Sequence, residues 1–375
     1  MRISRRGFLG SASGLLAGCA ARRTSVGPGA VLPAQGPRLA RVKVAPDRVI
    51  RTTVGLRPFR PSGFVVRGEK LGEKTVIHNY GHGGAGITLS WGTAQLALDE
   101  AAKTEARDCA VLGSGVVGLA TARLLQLRGY NPVIYARDMP PMTTSNLAGG
   151  LWDPVTVFDR PRLTPEFRRQ FVEASQFAFR RYQSLVGEMY GVRWLPIYSL
   201  SNDAPVGPHD AESPYSELDK LYPEAKQLAR EEHPFDVTYA YRRISLLIEP
   251  AVYLNALTRD FLVAGGRIAI REFHALEELA GLRESLLFNC TGLGAGALFH
   301  DAEVTPIRGQ LTFLLPQPEV QYMTVGAGDI YMFPRSDGVL LGGSHERGEW
   351  STDPAPATTE RVLRENGDLF RRMRA

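Results

Sequence analysis

Cysteine is scarce in this chain: three in 375 residues, Cys19, Cys109 and Cys290, with no spacing that suits a metal site. That excludes a disulfide-stapled scaffold or a zinc ribbon. Cys109 and Cys290 each sit beside a strand-like apolar run, where an isolated cysteine is more often a buried thiol than half of a bridge. A long hydrophobic run is missing too. The apolar stretch at residues 8–20 is too short and too glycine-rich for a transmembrane helix. Charge of one sign is nearly missing: the formal net charge is +5, and Arg2, Arg5 and Arg6 supply three of those positives, leaving +2. With no arginine-rich helix and no aromatic-basic groove, nucleic acid is excluded as a partner. No internal repeat is present. The remaining composition, 44% hydrophobic and 22% charged, is that of an ordinary globular protein with a sizeable core.

What is abundant is glycine, and it clusters. The stretch His78-Asn79-Tyr80-Gly81-His82-Gly83-Gly84-Ala85-Gly86 has four glycines in six positions, followed by a helix expected over residues 88–102. Such a turn brings backbone close to a ligand, and the helix start offers free N–H groups to an anion or carbonyl. A second loop, Gly113-Ser114-Gly115-Val116-Val117-Gly118, satisfies G-x-G-x-x-G between a strand at 108–112 and a helix at 119–128, with another strand at 132–135. Inside that β-α-β frame the pattern is strong for a dinucleotide. Just past the second strand, Arg137 and Asp138 have two open readings: adenosine contacts, with Asp138 on the ribose, or a solvated turn pair. The run Thr143-Thr144-Ser145-Asn146-Leu147-Ala148-Gly149-Gly150-Leu151-Trp152 suits a loop lying against a flat ligand or a phosphate.

At the N-terminus, Ser4-Arg5-Arg6-Gly7-Phe8-Leu9 and the mild apolar run after it look like a twin-arginine export signal over residues 1–18. Leu16-Ala17-Gly18-Cys19 resembles a lipobox, making Cys19 a lipidation site; an incidental cysteine at a small-residue cleavage site is the alternative. Residues 19–45 are expected to be a tether. The body would then be exported, periplasmic or in the cell envelope, and held to the membrane only by its lipid.

The rest alternates strands and helices. Strands are expected at 48–56, ending before the Arg-Pro pairs, and at 63–67, 75–78, 191–198, 265–273, 286–290, 310–315, 329–333 and 338–341. Helices are expected at 164–188, 253–263 and 358–373. Residues 202–235, with five prolines, read as a long surface excursion near a site entrance.

Seven segments together resemble the D-amino-acid oxidase family of flavoenzymes: residues 55–61, 78–92, 113–118, 143–152, Asn289-Cys290-Thr291-Gly292, Arg308-Gly309-Gln310, and Tyr331-Met332-Phe333-Pro334 with Gly342-Gly343. The resemblance implies an α/β fold: a Rossmann-like FAD-binding domain (about 75–157 and 245–300) interleaved with a mixed-sheet substrate domain (about 46–74, 158–244 and 301–375). The order departs from the family, because the Arg-Pro and His-Asn-Tyr-Gly-His segments precede the nucleotide strand, as a circular permutation would place them.

It implies FAD as cofactor and a D-amino acid and dioxygen as substrates. Arg57 and Tyr331 would bind the substrate carboxylate, the Gly84 carbonyl would accept from the amine, and no side-chain base is required. Gly83, Gly86, Ile87 and Thr88 would lie along the flavin ring. Gly113, Ser114, Gly115, Val116, Val117, Gly118, Arg137, Asp138, Thr143, Thr144, Ser145, Gly149, Gly150, Leu151, Phe273 and Thr291 would contact the rest of the cofactor. No metal is expected. His78 and His82 read as hydrogen-bonded structural histidines. Where the family has a second, lid-borne tyrosine, this chain has Ala327 between two glycines. Alternatives are a dehydrogenase passing electrons to a membrane quinone, a glycine- or sarcosine-type amine oxidase, and a non-catalytic ligand-binding lipoprotein.

Overall fold

The computed structural model describes residues 38–374. The export signal, Cys19 and the start of the tether lie outside that range.

Two sheets organise the molecule. The six-stranded sheet runs Val65–Leu71, Lys74–Tyr80, Leu286–Asn289, Asp108–Leu112, Asn131–Ala136, Arg267–Ile270. All neighbours are parallel except the hairpin of the first two. Cys109 to Leu112 and Leu286 to Asn289 are fully buried, as parallel strands covered on both faces must be. The helices Gly86–Ala101 and Val116–Leu127 pack against each other beneath it. Pro165–Gln183 crosses the first of these so closely that a Cβ on Gly92 would sit 1.8 Å from the Ala174 carbonyl. Trp91 is fully buried there and donates its indole N–H to Tyr253 at 2.5 Å.

The nine-stranded sheet runs Val49–Phe59, Thr305–Leu314, Gly338–Gly342, Tyr331–Arg335, Met323–Gly326, Val192–Ser201, Tyr239–Ile248, Lys226–Leu228, with Glu346–Arg347 also on the second strand. Its first strand does not stop before the Arg-Pro pairs. It continues through Pro58, opposite Pro306, to Phe59. Proline is tolerated because this is an edge strand, where a missing N–H faces no neighbour.

Three further expectations need correction. Val65–Leu71 belongs to the nucleotide sheet, because its register with Lys74–Tyr80 is unbroken. Residues 39–45 are no tether: Val42 is buried, and Tyr322 donates to the Ala40 carbonyl at 2.8 Å. Arg41 donates to the Met373 carbonyl, so the two ends of the described chain meet. Residues 202–235 are only partly a surface excursion. They carry the short helix Ser216–Asp219 and the strand Lys226–Leu228, and Leu218, Tyr222 and Phe235 are buried in the core. Cys109 and Cys290 are free, buried thiols pushed up to about 12 by burial.

Candidate active site

The nucleotide end is built from segments adjacent in one sheet. Gly113 has φ +107, closed to most side chains, and a Cβ there would lie 2.6 Å from the Cys290 carbonyl. A Cβ on Gly118 would lie 2.0 Å from the Gly113 carbonyl, so the helix can seat on the turn only without one. Ser145 reaches this helix start and accepts from the Val116 N–H at 3.0 Å. Ser114 donates to the Asp138 carbonyl, tying the loop to the end of the second strand. Thr291, at the mouth of the neighbouring strand, donates to Asn289 at 2.7 Å. Arg137 pairs with Asp138 at 2.7 Å and with Glu272 at 3.2 Å, all three on the surface. Phe273 stands edge-on to Tyr135 beside them. Sequence reading passed over Glu272, because nothing local marks a carboxylate 135 positions away as the partner of Arg137.

The other glycine loop lies against the first: a Cβ on Gly86 would be 3.8 Å from Val116. The starts of the two helices therefore adjoin. Gly83 and Gly84 are held by a residue that the sequence did not single out. Thr156 accepts from the Gly84 N–H at 3.0 Å, and a Cβ on Gly83 would lie 2.0 Å from the Thr156 carbonyl. Thr156 has φ +57, an outlier for a β-branched residue. Its segment is anchored by a partly buried ion pair also missed in the sequence: Arg243 to Asp153 at 2.7 Å, with the Tyr222 hydroxyl 3.3 Å from the same carboxylate. Thr88, in the first turn of the helix, donates to the carbonyls of Asp153 (3.3 Å) and Leu151 (3.5 Å). Thr143, Thr144, Gly149 and Gly150 share one loop, whose later end reaches the nine-stranded sheet. Thr143 donates to Asn146, Gly149 faces the Phe333 ring, and a Cβ on Gly150 would lie 2.1 Å from the Ile248 carbonyl. Ile87 is buried, and its carbonyl accepts from Tyr182 at 2.7 Å.

Both loop histidines are structural. His82 is buried, stays within 2.9 Å of Thr93, and is pushed down to about 3 by burial. Asn289 donates to Nδ1 of His78 at 3.0 Å, leaving Nε2 to face Glu69 at 3.0 Å. Burial lowers the His78 pKa against that carboxylate.

The third part joins residues far apart in sequence. Arg57 lies on the edge strand, and its guanidinium occupies the space over Gly309, where a Cβ would come within 2.4 Å of both terminal nitrogens. Its hydrogen bonds are long, to the carbonyls of Ser344 (3.3 Å) and Arg308 (3.5 Å), and no carboxylate pairs with it among the described residues. Tyr331 lies across Gly342, stacked on Phe333 at 5.0 Å, with Arg57 close enough to act on its hydroxyl. Burial raises the Tyr331 pKa, which keeps the hydroxyl a donor. The Arg57 side chain also reaches Gly84, where a Cβ would be 3.6 Å from Cδ. Arg57, Tyr331 and Gly84 therefore converge.

Comparison with known proteins decides the family. A family model described as FAD dependent oxidoreductase matches residues 31–100 and 108–374. The chain belongs to this family. A D-amino-acid oxidase of Rubrobacter xylanophilus is 34% identical over 271 residues, covering 70% of this chain and 77% of the relative. One from Streptomyces coelicolor is 30% identical over 263 residues, covering 68% and 75%. Among solved structures, glycine oxidase from Geobacillus kaustophilus superposes with a TM-score of 0.52 at 15% identity, covering 72% of this chain and 80% of that one, which speaks for the fold.

The residues at these helix starts fit the cofactor of this FAD dependent oxidoreductase. Gly115 packs against Ser145, where a Cβ would press to 3.2 Å from the hydroxyl. The two helix N-termini and the Ser145 hydroxyl, which accepts from Val116 and keeps its own O–H, supply donors for phosphate and carbonyl oxygens.

Proposed function

We propose that this enzyme oxidatively deaminates D-amino acids, and that the convergence of Arg57, Tyr331 and Gly84 beside the loop at 83–88 is its substrate site. When bound, FAD supplies the two-electron acceptor that takes hydride from the α-carbon and passes electrons to dioxygen, giving hydrogen peroxide. Arg57 holds the substrate carboxylate. Its planar fork allows two parallel charge-assisted bonds, and its long contacts to Ser344 and Arg308 leave donors for the ligand. Tyr331 donates to the same carboxylate, and the Gly84 carbonyl accepts from the amine. Held at three points, the substrate presents one face of its α-carbon. No side chain need act as base when the amine enters neutral. The product imine then hydrolyses to a 2-oxo acid and ammonia.

In this reading Gly83, Gly86, Ile87, Thr88, Gly149, Gly150 and Leu151 line the flavin ring. Residues 113–118 with Thr143, Thr144, Ser145 and Thr291 line the pyrophosphate, and Arg137, Asp138 and Phe273 flank the adenosine. The helix N-terminus at the ring end favours negative charge there.

The 34% identical D-amino-acid oxidase and the geometry at Arg57 support the assignment together. A permuted chain order is part of the same proposal. The family match breaks at residues 101–107, between the helix Gly86–Ala101 and the nucleotide strand. The early strands Val49–Phe59 and Lys74–Tyr80 also pair with Thr305–Leu314 and Leu286–Asn289, late in the chain. Export by the twin-arginine route and lipidation at Cys19 are proposed from residues 4–19 alone.

The test is anaerobic mixing of the flavin-loaded protein with D- and L-amino acids, glycine and sarcosine, following flavin absorbance. Bleaching by D-amino acids is expected, with one equivalent of peroxide per imine when air is admitted. Flavin that no D-amino acid reduces would overturn the assignment, and reduction without peroxide would point to a different electron acceptor.

A further inference from the structure

Beside the convergence at Arg57 lies a carboxylate that the proposed chemistry does not use. The hairpin turn before Tyr331 is made of Gly326 (φ +91), Ala327 (φ +58) and Gly328 (φ +99), so three successive residues hold left-handed backbone. Ala327 N–H donates to the Leu200 carbonyl at 2.7 Å and Gly326 N–H to the Ile330 carbonyl at 3.0 Å, which pins the turn. Ala327 offers only a methyl, so this turn carries no ring that could cover the site. The turn ends at Asp329, two positions before Tyr331.

Asp329 is held against the segment that contacts Arg57. A Cβ on Gly343 would sit 1.7 Å from the Asp329 carbonyl, so the two backbones touch. Ser344 comes next and accepts from Arg57; His345 follows, its Nδ1 3.4 Å from the Asp329 carboxylate. Asp329 and His345 therefore flank the carbonyl that orients Arg57. The Asp329 side chain is 62% exposed, leaving it room for a second partner. Burial and the Arg57 charge both push the His345 imidazole toward its neutral form, against the pull of Asp329. Partial burial, the larger of the two pushes, still holds His345 neutral once a substrate carboxylate neutralises Arg57, so the Asp329–His345 pair leaves a net negative charge at this rim.

We infer that Asp329 determines side-chain preference, favouring D-amino acids with a cationic side chain over neutral or acidic ones. This rests on the substrate site proposed above. Asp329 would meet the distal ammonium or guanidinium of the substrate while Arg57 holds its carboxylate, so opposite charges are matched at both ends of an extended molecule.

The measurement is the ratio of kcat/KM for D-lysine to that for D-norleucine, which differ by the terminal ammonium, at pH ~8 where that group stays charged. The flavin-loaded wild type should favour D-lysine. The ratio should fall about fivefold in Asp329→Asn, the size of a rim-exposed charge pair. Asp329→Glu should keep most of it. Raising ionic strength to about 1 M, where the screening length is about 3 Å, should lower it in the wild type and leave Asp329→Asn unmoved. A wild type that favours D-norleucine, or a ratio that stays within about twofold in Asp329→Asn, overturns the inference. Because Asp329 is exposed, flavin content and melting temperature can verify that each variant is folded. An enzyme that oxidises no D-amino acid overturns the parent assignment, and this one with it. One that oxidises D-norleucine with an unmoved ratio overturns this one alone.

Discussion

At the nucleotide end, Gly113, Asp138 and Cys290 meet because they follow the ends of adjacent parallel strands, and Gly118 joins them from the helix seated on the Gly113 turn. At the end proposed for substrate, Arg57 meets Ser344, Tyr331 and Gly84 because an early edge strand pairs with Thr305–Leu314, and that strand in turn with Gly338–Gly342. The first end is written in one short motif and positioned by main-chain turns. The second is carried by short segments far apart in sequence, residues 55–61, 83–84 and 331–334, and is positioned by antiparallel register over some 290 residues of sequence. Arg57 has two long carbonyl contacts and no carboxylate partner among the described residues, whereas Arg308, near it on the neighbouring strand, is engaged by Glu346 at 2.9 Å. The guanidinium left without a carboxylate is the one available to a ligand.

The two ends should therefore fail in different ways. Arg57→Ala removes a charged fork from a site that the cofactor does not need. Losing two charge-assisted bonds, at about 2 kcal/mol each, should lower kcat/KM by about 10³-fold. Flavin content and melting temperature should stay near wild type. An Arg57→Ala protein with undiminished turnover would sink the carboxylate clamp. Gly118→Val should do the reverse. A side chain there meets the Gly113 carbonyl, whose backbone cannot yield, so the helix must lift from the turn. FAD affinity should fall by about 10²-fold, about 3 kcal/mol, within the range of overpacking a close-packed site. The measurement is flavin absorbance per protein after gel filtration. A fully yellow Gly118→Val protein would break the distinction between the two ends.

Legibility followed the same division. The loop at 113–118 could be read because strand, turn, helix and strand are contiguous, and the observed Asp108–Leu112, Val116–Leu127 and Asn131–Ala136 differ from expectation only at their ends. The seating of Thr156 under Gly83 and Gly84 could not, since left-handed threonine has no sequence signature. Nor could the Asp153–Arg243 pair, which joins two chemically ordinary positions 90 apart. Pro58 and Pro61 suggested the end of a strand, and tertiary context overrode this because the strand is an edge. Residues 202–235 looked like an excursion because of their five prolines, yet Tyr222 is buried against Arg243 and raised well above its usual pKa by burial and by Asp153. Composition reports polarity, and a few anchoring rings suffice to bind a polar segment to a core.

The smallest effect tests the flavin-side loop as structure alone. Burial holds His82 down to about 3, far below the ordinary value near 6.5 of an unfolded chain. A group whose folded pKa is depressed binds its proton more readily unfolded, so its contribution is intact above pH ~6.5 and shrinks as pH falls toward 3. Between pH ~6.5 and ~5.5 that loss should be about 1 kcal/mol. His82→Gln keeps an amide within reach of Thr93 and carries no titrating group. Its denaturation midpoint should therefore fall less steeply over this interval than that of the wild type. Parallel slopes for the two proteins would mean that His82 is not kept neutral by the fold. The loop holding Gly83 and Gly84 would then be more open to water than its burial implies.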